Sequence, residues 1–129
     1  MEGKTAVRTE EAPAPFQGAP YSQAIKAGGF VFVSGQLALR PDHAEIVGDS
    51  IGEQTELVFA NLRAILEAAG SGLDRIVKTT VYLADLGDFA GMNEVYARHV
   101  GDVPPARATV EVAALPSGAK VEIEAVATL

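Results

Sequence analysis

One segment constrains the fold more than any other. Ser50-Ile51-Gly52-Glu53 has the form of a capping box, in which the serine hydroxyl and the glutamate carboxylate each satisfy a backbone N–H left free at a helix start. Apolar residues follow at Val58, Leu62, Ile65, Leu66 and Ala69, the stripe of one helical face, and Gly70 supplies a stop. The spacing predicts a helix over about Ile51–Ala69. Such a helix must lay its apolar face on another element, and the flanking sequence offers strands. Ala24-Ile25-Lys26 and Phe30–Ser34 flank Ala27-Gly28-Gly29, a hairpin signature. Leu37–Asp49, with Pro41, Asp42 and Gly48, reads as loop. Ile76–Leu83 is rich in β-branched residues and reads as a strand largely buried on both faces. Asp88 is placed to cap a second helix that presents Phe89, Met92, Val95, Tyr96 and His99 on one side and ends at Gly101. Pro104-Pro105 then breaks the chain, and Arg107–Ala113 and Lys120–Thr128 alternate as strands. The order β-β-α-β-α-β-β, with one further short edge strand near Ala6–Thr9, predicts an α+β fold in which both helices cover one face of a single sheet. Residues 1–18 read as a mobile N-terminal segment and residues 19–129 as a single domain.

Composition narrows the chemistry. The 129 residues include no cysteine, which excludes disulfides, zinc-thiolate sites, iron–sulfur clusters and thiol nucleophiles. Ten basic residues against 17 acidic ones give a net charge of −7, which disfavours a nucleic-acid backbone as the main partner. With 5 Phe, 3 Tyr and no Trp, there is no obvious base-stacking platform. The strongest apolar run, Phe30-Val31-Phe32-Val33, is far too short to span a bilayer, so no membrane partner is expected. No charged-then-apolar leader opens the sequence, and a cytoplasmic location is the default expectation.

Two strands carry the charged pattern. Alternation puts Arg107, Thr109 and Glu111 on one face of the first, with Ala108, Val110 and Val112 on the other. In the second, Val121 and Ile123 face the core while Lys120, Glu122 and Glu124 share the opposite side. The plain reading is the solvated faces of amphipathic strands. The functional reading is a guanidinium fork for a carboxylate plus a carboxylate able to act as base. Arg107 follows Pro104-Pro105-Ala106, so rigid backbone fixes its direction at a strand entrance. Ser34-Gly35 ends an apolar strand, where a hydroxyl and an N–H could contact an anion, and Tyr21 follows Pro20 in a loop. His43 and His99 have no serine or aspartate at a triad spacing. His43 and Glu45 are too little for a metal site. Neither a phosphate-binding nor a dinucleotide glycine motif is present.

From about Ala19 onward the chain resembles the RidA (YjgF) family of reactive-intermediate deaminases. The resemblance is carried by Pro20-Tyr21-Ser22-Gln23-Ala24, Val33-Ser34-Gly35-Gln36, Gln54-Thr55 with Asn61-Leu62, and Ala68-Ala69-Gly70. It continues through Val77–Leu83, Asp88-Phe89, Asn93–Tyr96, Pro105-Ala106-Arg107, Val112–Pro116 and Val121–Ala125. It implies a chorismate-mutase-like fold and a homotrimer with three ligand clefts between subunits. The activity it implies is hydrolysis of 2-imino acids and their enamine tautomers to 2-keto acids and ammonia, with no cofactor and no metal. By position it implies Arg107 as the carboxylate anchor and Glu122 as the residue orienting the attacking water, with Tyr21, Ser34, Gly35, Asn93 and Thr109 in the cleft. Two departures stand out. Thr109 replaces the cysteine of many relatives, and the usual glycine-proline-tyrosine is spread to Gly18-Ala19-Pro20-Tyr21.

This assignment makes physical sense. A 2-imino acid is small, planar and anionic, so one bidentate arginine is a sufficient anchor. Its protonated imine carbon is already electrophilic, which leaves only a water to place and a base for its proton. Glu122 is the natural base, and Glu124 on the same strand face raises its pKa by like-charge repulsion. A simple hairpin through Pro116-Ser117-Gly118 would hold Arg107 and Glu122 roughly 20 Å apart. The resemblance implies instead a central final strand and clefts that borrow residues from neighbouring chains. Alternative readings are a non-catalytic trimeric binder of small carboxylates and, weakened by the negative charge, an endoribonuclease or translation inhibitor.

Overall fold

The computed structural model describes residues 3–129. Its strands are β1 (Thr5–Val7), β2 (Ala24–Ala27), β3 (Phe30–Gln36), β4 (Ile76–Leu83), β5 (Ala106–Glu111) and β6 (Val121–Thr128). Helix α1 (Ile51–Ala68) lies between β3 and β4, and α2 (Phe89–His99) between β4 and β5. All six strands form one mixed sheet in the order β1-β2-β3-β6-β4-β5. Only β4 and β5 run parallel, and α2 is the crossover that a parallel pair requires. The expected fold class, α+β with two helices on one sheet face, is the one observed. The edge strand anticipated near Ala6–Thr9 forms over Thr5–Val7, and Val7 and Ala12 are buried in the core.

Helix α1 follows from its sequence. The Ser50 hydroxyl accepts from the Glu53 N–H at 3.1 Å, and the Glu53 carboxylate accepts from the Ser50 N–H at 3.1 Å. Val58, Phe59, Leu62, Ile65 and Leu66 are fully buried against the sheet. Each such side chain contributes about 1.5–3 kcal/mol on leaving water. Three buried polar side chains tie loops to this core. Asn61 donates to the Leu37 and Leu39 carbonyls, while Gln54 donates to Gly48 O and accepts from Lys120 N–H. Gln23 accepts from Thr9 N–H and donates to the carbonyls of Thr9, Ala12 and Pro13.

Three expectations are corrected. Asp88 makes no capping hydrogen bond. Instead α2 is entered through a 3-10 turn at Leu86–Asp88, in which Asp85 accepts from the Gly87 N–H. Strand β4 is buried on one face only, because both helices lie on that side; Val77 and Lys78 are exposed. The alternation in β5 is also turned over relative to a conventional amphipathic strand. Its register pairs Arg107 with Thr79 and Thr109 with Val81, both buried towards the helices, so Ala108 and Val110 point to the open face and are exposed.

The last strand does not pair with its predecessor. After β5 the chain wraps the end of β4: Val112 N–H donates to Leu83 O, and Ala84 N–H donates to Lys120 O. Strand β6 then runs between β3 and β4, burying Val121, Ile123, Ala125 and Ala127 on the helix side. Its Glu122 and Glu124 lie on the open face, opposite Tyr82 and Thr80.

Candidate functional site

The candidate residues fall into two clusters on opposite faces of the sheet. Arg107 shares its face with Thr79 and Glu122 shares its own with Tyr82, three residues further along β4. An odd offset along a strand puts the two on opposite sides. Within one chain they cannot close on one small ligand.

The first cluster is built by β4, β5 and α2. Phe89, Asn93 and Tyr96 follow one another at helical spacing and face the half-buried Arg107. The Arg107 guanidinium donates to Asn93 Oδ1 at 2.8 Å, and its Cζ lies 4.7 Å from the Tyr96 ring centroid and 5.5 Å from that of Phe89. Among the described residues no carboxylate lies within ion-pair distance of Arg107. Glu111, on the same face of β5, is engaged by the backbone of Leu86, whose N–H it accepts at 2.9 Å. The guanidinium is therefore oriented by neutral groups while its charge stays uncompensated. Two residues along, the Thr109 hydroxyl is buried without a hydrogen-bond partner in the chain. Unpaired buried polar atoms are rare and costly, at about 1–3 kcal/mol each.

The second cluster is built by β3, β6 and the loop before β2. Gly35 faces Glu122 so closely that a Cβ at this position would collide with the glutamate carboxylate. The absent side chain is what lets Glu122 lie over β3. Burial first, and the Glu124 charge second, push the Glu122 pKa above its ordinary value of 4.5. Glu124 in turn accepts a hydrogen bond from the Tyr82 phenol, which that bond pushes above its ordinary range. Ser34 acts differently from the sequence expectation: its hydroxyl donates to Ser22 O at 2.6 Å, pinning the loop that carries Tyr21. The spread Gly18-Ala19-Pro20-Tyr21 segment turns at Gln17 and Gly18, both with positive φ, and Phe16 N–H donates to the Tyr21 hydroxyl at 2.6 Å. Tyr21 and Gly35 line one slot with Phe16, Leu37 and Leu39.

The structure thus brings Arg107, Asn93 and Thr109 to one place and Tyr21, Ser34, Gly35 and Glu122 to another. The sequence assigns Tyr96 and Phe89 only to one side of the second helix, and gives Thr79 and Tyr82 no site role. The signal for the first two was present: Asn93 shares its helical face with Phe89 and Tyr96, so a ligand-facing Asn93 implies aromatic neighbours. Thr79 and Tyr82 become visible only through strand register.

Residues 9–129 match the family model described as Endoribonuclease L-PSP. A RutC family protein of Pyrococcus abyssi is 52% identical over 124 residues, covering 96% of each chain. The chloroplastic Reactive Intermediate Deaminase A of Arabidopsis thaliana is 51% identical over 126 residues, 98% of this chain and 66% of that protein. The crystal structure of Escherichia coli TdcF with bound serine superposes with a TM-score of 0.88 at 40% identity, covering 97% of this chain and 98% of that one. Fold, motifs and comparisons agree, and the chain belongs to the Endoribonuclease L-PSP family, to which the RidA proteins it resembles also belong.

Proposed function

We propose that this protein hydrolyses reactive 2-imino acids and their enamine tautomers, of the 2-iminobutanoate and 2-iminopropanoate type, to 2-keto acids and ammonia. The observation that carries the reading is the Arg107 guanidinium, held by Asn93 and two aromatic rings, with no carboxylate paired to it in a chain of net charge −7. A positive charge so placed suits a small carboxylate that brings its own negative charge. The working unit in this reading is a homotrimer. Arg107, Asn93 and Thr109 of one subunit face Tyr21, Ser34, Gly35 and Glu122 of the next, because the two clusters lie on opposite faces of one sheet.

The substrate carboxylate sits on Arg107, and the protonated imine carbon points at a water held by Glu122. Glu122 takes one proton from the water as the oxygen bonds to C2, which gives a tetrahedral carbinolamine. Glu122 returns that proton to the amine nitrogen; as the C–N bond breaks, the hydroxyl oxygen forms the carbonyl and its proton passes to the departing ammonia, giving the 2-keto acid and ammonium. A pKa raised by burial suits both halves of this transfer. The orphaned Thr109 hydroxyl gains a partner in a ligand oxygen or nitrogen.

The test is ammonia release from 2-iminobutanoate generated in situ by a dehydratase. Wild type shortens the lifetime of the imine, and Arg107→Ala loses about 3 kcal/mol of transition-state stabilisation, on the order of a hundredfold in rate. An imine lifetime unchanged by wild type overturns the reading. The bound serine in the TdcF structure favours a second one, a binder of small carboxylates without turnover. It predicts thermal stabilisation by 2-keto acids in the absence of imine hydrolysis. The endoribonuclease function named in the family description would require a polyanionic partner, which a net charge of −7 disfavours.

A further inference from the structure

We infer that Tyr96, tethered by Thr79, is the positioning residue that fixes the plane of the Arg107 guanidinium for an incoming carboxylate. The inference rests on the reading of Arg107 as anchor and names what aims it. A long arginine side chain on an edge strand has many rotamers, and a single hydrogen bond to Asn93 leaves its plane free to swing. The Tyr96 ring removes that freedom, lying 4.7 Å from Arg107 Cζ. The ring is itself held from two sides. Its hydroxyl and Thr79 Oγ1 share a buried hydrogen bond of 2.7 Å, and it meets the Phe59 ring in a T-shaped pair with centroids 5.5 Å apart at 79°. Tyr96 is only 6% exposed and Thr79 is fully buried.

The sheet closes the arrangement. Thr79 is the register partner of Arg107 across β4 and β5, so one rung of the ladder carries both the arginine and the tether of its platform. Any shift of α2 that moves the ring strains the Thr79 bond, and any slip of β5 strains the Asn93 bond. A ring is also a support that does not neutralise the guanidinium. A carboxylate in its place would orient the arginine equally well but would compete with the ligand.

The test compares wild type with Tyr96→Leu, Tyr96→Phe and Thr79→Val, measuring 2-oxobutanoate binding, imine hydrolysis and the NMR shifts of the Arg107 side chain. Tyr96→Leu is expected to weaken 2-oxobutanoate binding on the order of tenfold. KM for the imine rises by a similar factor, and kcat changes less. The acid limb of the pH profile stays in place, since Tyr96→Leu keeps the Arg107 charge and leaves the burial of Glu122 and its neighbour Glu124 unchanged. The upfield ring-current shift of the Arg107 protons falls in this variant to the part that Phe89 supplies, and is kept in Tyr96→Phe, which restores most of the affinity. Thr79→Val, which removes only the tether, gives a smaller loss of the same kind and serves as the test if Tyr96→Leu does not fold.

Folded Tyr96→Leu protein that binds 2-oxobutanoate as tightly as wild type overturns the inference, as does loss of affinity with an unchanged Arg107 spectrum. Wild type that binds the keto acid and does not hydrolyse imines overturns the proposed function alone, and the binding series then decides on Tyr96. Wild type that neither binds nor hydrolyses overturns both.

Discussion

Gly35 shows how a missing side chain makes room for a neighbouring carboxylate. The atoms its Cβ would meet first are Oε2, Cδ and Cγ of the Glu122 side chain, which can swing aside. Gly35→Ala is therefore expected to fold with a melting temperature within a few degrees of wild type. Its imine hydrolysis falls by about 10- to 100-fold as the carboxylate moves out of place. Crystallography or a pH titration of the variant checks the displacement, since a carboxylate pushed into solvent loses its raised pKa. In the proposed mechanism Glu122 joins function to a stability cost. Its pKa is raised by burial and by Glu124, so the folded chain holds that proton more tightly than the unfolded one, and stability from this site falls as pH rises past 4.5. Glu122→Gln removes the cost. It should raise the melting temperature at pH 7, with the gap closing on acidification, while activity drops by about a hundredfold or more. Glu124→Gln removes the second cause of the shift, and the acid limb of kcat/KM should move to lower pH.

At the scale of elements, the two helices are joined by charge as well as by packing. Glu56 on α1 accepts from His99 at 2.7 Å and Arg98 at 3.0 Å on α2, and the His99 ring stacks on Phe59 with centroids 4.7 Å apart. The His99 hydrogen bond, more than any other contact, holds the Glu56 carboxyl below its ordinary 4.5. Stability from this clamp is present above that value and lost as pH falls below it. For a partly exposed pair Glu56→Gln is expected to cost up to about 1 kcal/mol, or roughly 2–5 °C by calorimetry at pH 7. The gap should narrow in acid. Elements of this kind were the legible part of the sequence. The capping box and stripe of α1, the Gly28-Gly29 hairpin and the β-branched run of β4 are local signals, and each formed where local chemistry placed it. What stayed hidden was non-local. Nothing in Arg107–Val112 says which alternate set faces the helices, because Arg107 and Thr109 behave as inward residues only beneath Phe89, Asn93 and Tyr96. Ser34 resembles an anion contact in the sequence because a strand-end hydroxyl looks free, whereas in the fold it donates to Ser22 O. The separation of Arg107 from Glu122 across the sheet needed the strand order, which no pairwise spacing encodes.

At the scale of the molecule, the two-faced placement of the site has a sharp consequence for subunit mixing. If each cleft takes Arg107 from one chain and Glu122 from its neighbour, Arg107→Ala and Glu122→Gln trimers are both inactive alone. Unfolding and refolding them together at equal amounts should restore activity, because one cleft in about four then unites two intact residues. Recovery to about a quarter of the wild-type rate supports shared clefts, and none at all would place both residues in a site within one chain. The open sheet face points the same way, since Phe30, Phe32, Val77 and Val110 all leave apolar surface uncovered. The strand order also bears on synthesis. Strand β6 follows the other strands in sequence and, among the described residues, is the one that joins β3 to β4 in the sheet. Until it emerges from the ribosome, β1-β2-β3 and β4-β5 are two separate ribbons, each with a bare edge. The sheet therefore closes only once Val121–Thr128 is in place, and a chain stalled before Val121 presents two bare-edged halves open to aggregation.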